Sequence, residues 1–275
     1  MAKLKYPKKL YKFSGWELDR NKKLLTQHQI FLSSIDNFND PFENLVPIDY
    51  KKFSPNDWID KIIEVNSRSG IYKNFSEAEK KAHASADYLE QLRKGRFNYD
   101  EISRTGYEYR KDNFAVYCLS ATKANLLLWS HYSNSHKGIC IAYDTEQLLN
   151  FLESNYREDA NEISLEKVNY YRRFPFYDAR NINDPYEYML KSLVTKSIDW
   201  EYEIEYRLIS NVGKTNFPVD LQDGIISEVI MGARMKEVHT NEIIQFLQQK
   251  KSQIKLYKAE ISNRRFALSF ERVNY

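Results

Sequence analysis

The chain has 275 residues, with 41 Lys+Arg against 38 Asp+Glu and a formal charge of +3. That length buries a proper core as one large domain or two small ones, and a composition 42% hydrophobic and 29% charged excludes a disordered chain. So weak a net charge gives no argument for a nucleic-acid partner without a local patch.

In chain order, Leu10–Phe13 (LYKF) reads as a first strand, Trp16–Leu25 as a helix and Gln29–Ser33 as a second strand. The turn Phe38-Asn-Asp-Pro-Phe-Glu43 follows; Asp40 precedes a proline and is biased away from helix. Residues 55–112 change character. Pro55 suits a helix start, and Trp58, Ile59, Ile62, Ile63 and Val65 recur at helical spacing. Ser76 and Glu79 form a capping box for a second helix, 76–96. The region reads as a helical insertion between sheet elements. Strands are then expected at 114–120, 138–143, 168–171, 203–210, 225–231, 254–258 and 266–273. Helices are expected at 124–132, from a cap at Asp144 through Leu152, at 185–196 and at 237–250. This is an α+β pattern rather than a regular alternation of strand and helix. It is read as one domain, 1–275, with the insertion at about 55–112 and a bent or split mixed sheet.

With 8 Gly and 7 Pro there is little material for glycine-rich phosphate loops. Gly213-Lys214-Thr215 lacks the upstream glycine of a phosphate loop, since Leu208 stands there inside a strand. No Gly-x-Gly-x-x-Gly supports a dinucleotide fingerprint. His28, His83, His131, His136 and His239 include no set at metal-ligand spacing, so no metal is expected. Cys118 and Cys140 make no disulfide framework, and both sit in apolar strands, where burial would make a thiol inert. The basic opening MAKLKYPKKLYKF has no apolar h-region. No apolar run reaches the roughly 18–20 residues of a membrane span. The expectation is a cytoplasmic protein with no membrane partner.

Four blocks carry polar groups in a suggestive order. In Trp200–Leu208 (WEYEIEYRL), strand alternation puts Glu203, Glu205 and Arg207 on one face, with Glu201 nearer the strand start, and Tyr202, Ile204, Tyr206 and Leu208 on the core side. A solvent-facing, salt-bridged strand explains this as well as a carboxylate pair lining a cleft. In 128–138 (LWSHYSNSHKG), Trp129, His131, Tyr132 and Lys137 precede a buried strand and suit a small-molecule site; a helix end with Trp129 and Tyr132 in the core is the plain alternative. In 34–43, Asn and Asp side chains bond locally in turns, and Asp40 and Glu43 stay as candidates. In LYKF, Lys12 points away from Tyr11 and Phe13, either guarding a sheet edge or supplying a cation to a cleft.

Taken together, LYKF, FLSS…FNDPFE, YCLS, LLWSHYSNSHKGICIAYD, WEYEIEYRLI and EVIMG resemble a widespread bacterial family known only as a domain of unknown function. The resemblance is thin across 50–112 and 150–190. The layout is also remotely similar to ADP-ribosyltransferases, which split NAD and move ADP-ribose. That likeness implies Lys12 on an early strand where the group has His or Arg, Ser120 on a middle strand, and Glu203 or Glu205 on a late one. It implies catalytic Glu205, Glu203 and Ser120, with Lys12, Tyr11, Asp40, Glu43, Trp129, His131, Tyr132, Lys137 and Arg207 around the substrate. NAD would be consumed as substrate without a metal, and ADP-ribose would pass to a protein or nucleic-acid acceptor, as in a toxin or phage-defence effector. With Arg207 neutralising one carboxylate, Glu205→Gln is expected to keep the fold and lose catalysis. The alternative is a non-catalytic module that binds a nucleotide or a nucleic-acid end in the same cleft.

Overall fold

The computed structural model describes residues 6–49, 53–95, 99–156, 162–178 and 185–275. The chain divides into two compact units. The first holds residues up to Asn39, Lys111–Tyr170 and Ile198–Tyr275; the second holds Asp40–Arg110 and Tyr171–Ser197. The first unit opens with β1 (Lys9–Ser14), α1 (Asp19–Thr26) and β2 (Gln29–Ser34). The second contributes β3 (Ile48–Asp49), α2 (Pro55–Arg68), α3 (Glu77–Arg93) and most of α4 (Tyr99–Asn113). The chain continues through β4 (Ala115–Ser120), α5 (Leu126–Tyr132), β5 (Ile139–Asp144), α6 (Thr145–Asn155), β6 (Ile163–Lys167) and β7 (Asn169–Tyr171). β8 (Tyr177–Asp178), α7 (Pro185–Leu193) and β9 (Thr195–Ser197) come next. A 3-10 helix (Ile198–Glu203), β10 (Glu205–Ser210), β11 (Phe217–Asp220), β12 (Ile226–Met231), α8 (Glu237–Gln249), β13 (Lys255–Ile261) and β14 (Leu268–Val273) complete it.

The fold is α+β with a mixed sheet. Ten strands of the first unit form that sheet, in the order β11-β2-β4-β1-β5-β12-β13-β14, with β10 on β4 and β6 on β10. All pairings are antiparallel except β12 with β13. The sheet forks at β4. One edge of that strand is shared: β2 takes its start (Ser33 opposite Val116) and β1 its end (Tyr11 opposite Ser120), while β10 runs along the other edge. Both faces are covered. Leu10, Leu119, Ile141, Leu208, Val229 and Leu256 pack with apolar residues of α1, α6 and α8. Phe13, Cys140, Ile230 and Ala259 pack on the opposite face with Leu128 and Trp129 of α5. Strands covered on both sides read as continuous apolar runs, which is why AVYCLS and ICIAY stand out in the sequence.

The second unit is built mainly from helices with sequence-encoded starts. Ser54 and Asp57 close a capping box on α2 with Pro55 at its first turn, and Ser76 and Glu79 close another on α3. The expected insertion falls almost wholly in this unit, and helix α4 ends at Asn113 before strand begins. The unit is larger than the insertion because Tyr171–Ser197 joins it. Two short parallel strands, β3 and β8, pair within it. They were not foreseen, since two-residue strands carry no periodicity. In the first unit β6 and β11 were also missed. β11 is an edge strand with Pro218 in it, the one sheet context where Pro is tolerated but lowers any strand signal.

Two glycines, next to the ends of β5 and β12, permit a close backbone approach. After α5, Asn134, Ser135 and His136 adopt successive left-handed conformations, with φ of 49°, 55° and 67°. Each costs about 1 kcal/mol or more for a non-glycine residue. The turn is repaid by His136 N–H to the Trp129 carbonyl (3.1 Å) and Gly138 N–H to the Ser133 carbonyl (2.8 Å). It brings backbone against backbone. A Cβ on Gly138 would lie 2.1 Å from the Ser14 carbonyl oxygen, and one on Gly232 would lie 2.2 Å from that of His136. Gly138→Ala should therefore cost about 3 kcal/mol or more, seen as a large fall in melting temperature. An unchanged melt would show that β1 and β5 separate there at little cost.

Candidate functional site

Some of the polar groups singled out in the sequence lie together on one face of the main sheet, and others lie apart from them. Register sets a transverse row over five neighbouring strands: Glu205 on β10, Ser120 on β4, Tyr11 on β1, Ala142 on β5 and Glu228 on β12. Residues directly opposite on antiparallel strands point to the same face, here the face that α5 covers. The next row carries Arg207 opposite Cys118.

Glu205 and Arg207 form a buried ion pair. Arg207 Nε donates to Glu205 Oε1 at 2.9 Å and Nη2 to Oε2 at 3.1 Å, a bidentate grip that matches the two planar groups. Arg207 is 0% exposed, and Glu205 is buried with it. The Phe38 ring lies 4.9 Å from the guanidinium carbon, within cation–π range. The backbone of Glu205 is also fixed: its N–H donates to the Tyr170 hydroxyl (2.8 Å) and its carbonyl accepts from Val168 (3.0 Å). Charges this deep are retained only when paired and hydrogen-bonded.

Glu203 sits just before this strand, at the end of the 3-10 helix. It too is buried. Its Oε1 accepts the Tyr132 hydroxyl at 2.7 Å, and Asn39 Nδ2 reaches that hydroxyl at 3.5 Å. Three successive carbonyls hold the segment in place. Tyr202 O accepts from Asn125 Nδ2 (3.1 Å), Glu203 O from Ser120 Oγ (2.6 Å) and Ile204 O from Ala121 N–H (3.0 Å). Asn125 also caps α5, its Oδ1 accepting from Leu127 and Leu128 N–H. One side chain thus ties the start of α5 to the segment whose carboxylate the end of α5 reaches.

Several expectations are corrected by this geometry. The strand begins at Glu205, two residues later than alternation suggested, so parity fails upstream. Ile204, expected in the core, has a left-handed φ of 45° and is 44% exposed. Tyr202 packs with the α5 face rather than with Tyr206 and Leu208. Ser120 is a positioning group: its hydroxyl donates to a backbone carbonyl and accepts the Thr122 N–H. Lys12 lies on the other face of the sheet. It shares the parity of Leu10, its ammonium donates to the Cys118 carbonyl (3.1 Å), and it stands 4.5 Å from the centre of the Tyr117 ring. Trp129 is a core residue. Its ring meets Phe13 edge-on and stacks over His136, and its Nε1 donates to the Lys123 carbonyl. His131 is exposed at the end of α5, and Lys137 is half-buried in the following turn. Of that block, Tyr132 reaches Glu203.

Asp40 and Glu43 belong to the second unit. Asp40 accepts the Phe42 N–H in a local turn (2.9 Å), and Glu43 pairs with Lys196 at 3.0 Å, both side chains buried. Tyr11 is on the site face, half-buried, and its phenol is pushed up to about 12, first by burial and then by Glu228 and Cys140. Burial also drives both thiols upward, so neither is a nucleophile near neutral pH. Among the described residues no group of three His, Cys, Asp or Glu is placed to hold a metal ion, and no helix is long and apolar enough to cross a membrane.

Tyr170, Asn125, Asn39 and Phe38 were not chosen from sequence. Asn125 had a readable signal, an Asn directly before an apolar helical run. Phe38 and Asn39 lay inside a chosen block. Tyr170 had none, because its role depends on a register that no local pattern encodes.

Residues 128–208 match the model of a family described as "Protein of unknown function (DUF2971)". The matched span runs from α5 to the Glu205–Arg207 strand, in agreement with the resemblance to a family of unknown function. No curated protein and no solved structure matches the chain.

The expectation from sequence is that Glu205→Gln keeps the fold and loses catalysis; the buried ion pair predicts instead that it also costs stability. Removing one partner of a buried pair strips the other of its bidentate contact and should cost about 3–5 kcal/mol. Arg207→Met should cost as much, and the double variant Glu205→Gln/Arg207→Met should recover at least half of either loss. Thermal melts of the three variants check this, and additive losses would contradict it.

Proposed function

We propose that the first unit cleaves the nicotinamide–ribose bond of NAD and passes ADP-ribose to water or to a protein or nucleic-acid acceptor. The observation that carries this reading is Glu203: a carboxylate buried beside a neutralised ion pair, oriented by the Tyr132 phenol at 2.7 Å and fixed through its own carbonyl by Ser120. The likeness of the sequence blocks to ADP-ribosyltransferases adds to it.

The chemistry asks for such a group. As the C–N bond breaks, its electron pair leaves with nicotinamide, which becomes neutral, and positive charge develops on the ribose. A carboxylate fixed in a site of low dielectric stabilises that charge without having to reorganise. The acceptor oxygen then bonds to the anomeric carbon and gives up its proton, for which the carboxylate is a suitable base. In this scheme Tyr132 positions Glu203, and the Glu205–Arg207 pair holds the strand beneath. No step requires a metal. Depletion of NAD, or modification of a macromolecule, suits a toxin or defence effector.

The test is NAD consumption by the wild-type protein, Glu203→Gln and Tyr132→Phe, with thermal melts alongside. Glu203→Gln should lose about 10²–10³-fold in turnover, the scale of one preorganised charge, at a melt close to wild type. Tyr132→Phe should lose less. Equal turnover in wild type and Glu203→Gln would end the reading. NAD binding without turnover in any acceptor mixture would put a non-catalytic nucleotide-binding module in its place.

A further inference from the structure

A cleft in the first unit shares no residue with the Glu203 group. Its volume is about 850 Å³, within the range of small-molecule sites, roughly 300–1,000 Å³. It forms where β1, β12 and β13 begin and β5 ends, beside the last turn of α8. Four lysines line it: Lys9, Lys250, Lys251 and Lys255. Its apolar wall is Leu221, Ile226 and Ile254, with the half-buried ring of Phe246.

Two carboxylates also line the cleft: Asp144 caps α6 through the Gln147 N–H at 3.1 Å, and Asp223 lies 3.0 Å from His28 Nδ1. Lys9 is held by the buried Glu228. Lys250, Lys251 and Lys255 make no ion pair among the described residues. Lysines at a helix end favour the helix dipole, which accounts for Lys250 and Lys251 without a ligand. It does not account for Lys255, which comes from a strand and lies in the same concavity. The backbone is also set to bring the cations there. Lys251 occupies the left-handed position that ends α8, with φ of 48°, a place that ordinarily goes to glycine. Ser252 N–H to the Leu247 carbonyl and Lys251 N–H to the Gln248 carbonyl, both 3.0 Å, lock that turn. Tyr275 then donates its hydroxyl to the Ser252 and Ile254 carbonyls, so the floor is fixed from both ends.

We propose that this cleft binds an organic di- or triphosphate, its phosphates on Lys250, Lys251 and Lys255 and its organic part against Phe246 and the apolar wall. A single phosphate would leave cations unused, and clustered cations in a concave site focus their field on a multiply charged anion. A purely inorganic polyphosphate would leave the Phe246 wall wet.

Calorimetric titration of the full chain with ATP, tripolyphosphate and adenosine tests this. ATP should bind tightest, tripolyphosphate roughly tenfold more weakly for want of the apolar contact, and adenosine weakest. Lys250→Gln/Lys255→Gln should weaken ATP at least about tenfold, two charge-assisted contacts being lost, with an unchanged melt. Phe246→Leu should bring ATP down towards tripolyphosphate. Glu203→Gln should bind ATP as the wild type does, so failure here is separable from failure of the proposed NAD chemistry. Adenosine binding as tightly as ATP, tripolyphosphate as tightly as ATP, or no effect of the lysine pair would each overturn the proposal.

Discussion

The first unit depends on a buried ion pair. Moving a guanidinium and a carboxylate out of solvent costs several kcal/mol per ion after relaxation, and only close geometry offsets it. Arg207 and Glu205 lie two residues apart on one strand, so their side chains already face the same way and little entropy is lost in aligning them. The remaining constraint falls on what surrounds the pair. Phe38 must cover the guanidinium, Tyr170 must fix the strand's first N–H, and β4 must present the small side chains of Cys118 and Ser120 opposite. A bulky residue at either β4 position would displace the pair, and the segment carrying Glu203 would move with it.

The same economy runs through the loop ahead of β10. Its carbonyls are claimed in turn by Asn125, Ser120 and Ala121. The left-handed Ile204 is the cost of that arrangement: an exposed β-branched residue in a disfavoured conformation. Strain of this kind, roughly 1–3 kcal/mol, persists where the surroundings over-determine it, and it lies between the two buried carboxylates.

Sequence revealed the elements better than the site. AVYCLS and ICIAY are apolar runs of strand length, and their strands appear where expected, as does that of ISEVIM. The capping boxes at Ser54 and Ser76 marked helix starts because their chemistry is local. Failures came where meaning is non-local. Alternation in WEYEIEYRL could not show that the chain leaves strand geometry before Glu205, so Ile204 and Tyr202 were given the wrong surroundings. Lys12 could be assigned to a face only relative to its neighbours, and the register shows that its face is opposite to Glu205. Trp129 and Tyr132 sit three residues apart on one short helix. One fills the core and the other meets a carboxylate, a distinction made by tertiary packing alone.

The forked edge of β4 has a consequence for how the chain must be made. β1 lies in the middle of the main sheet, flanked by β4 and β5, yet its partners at Ser120 and Ile139–Asp144 come more than a hundred residues later. At a synthesis rate of about 5–20 residues per second, the apolar LYKF segment leaves the ribosome roughly 5–25 s before its strand neighbours. Over that interval its backbone donors and acceptors have no sheet to join, and it exposes the kind of unpaired edge that recruits other chains. The lysines at positions 8, 9 and 12 place like charges along that edge and repel a second nascent copy. They act as gatekeepers before the protein has any site to protect.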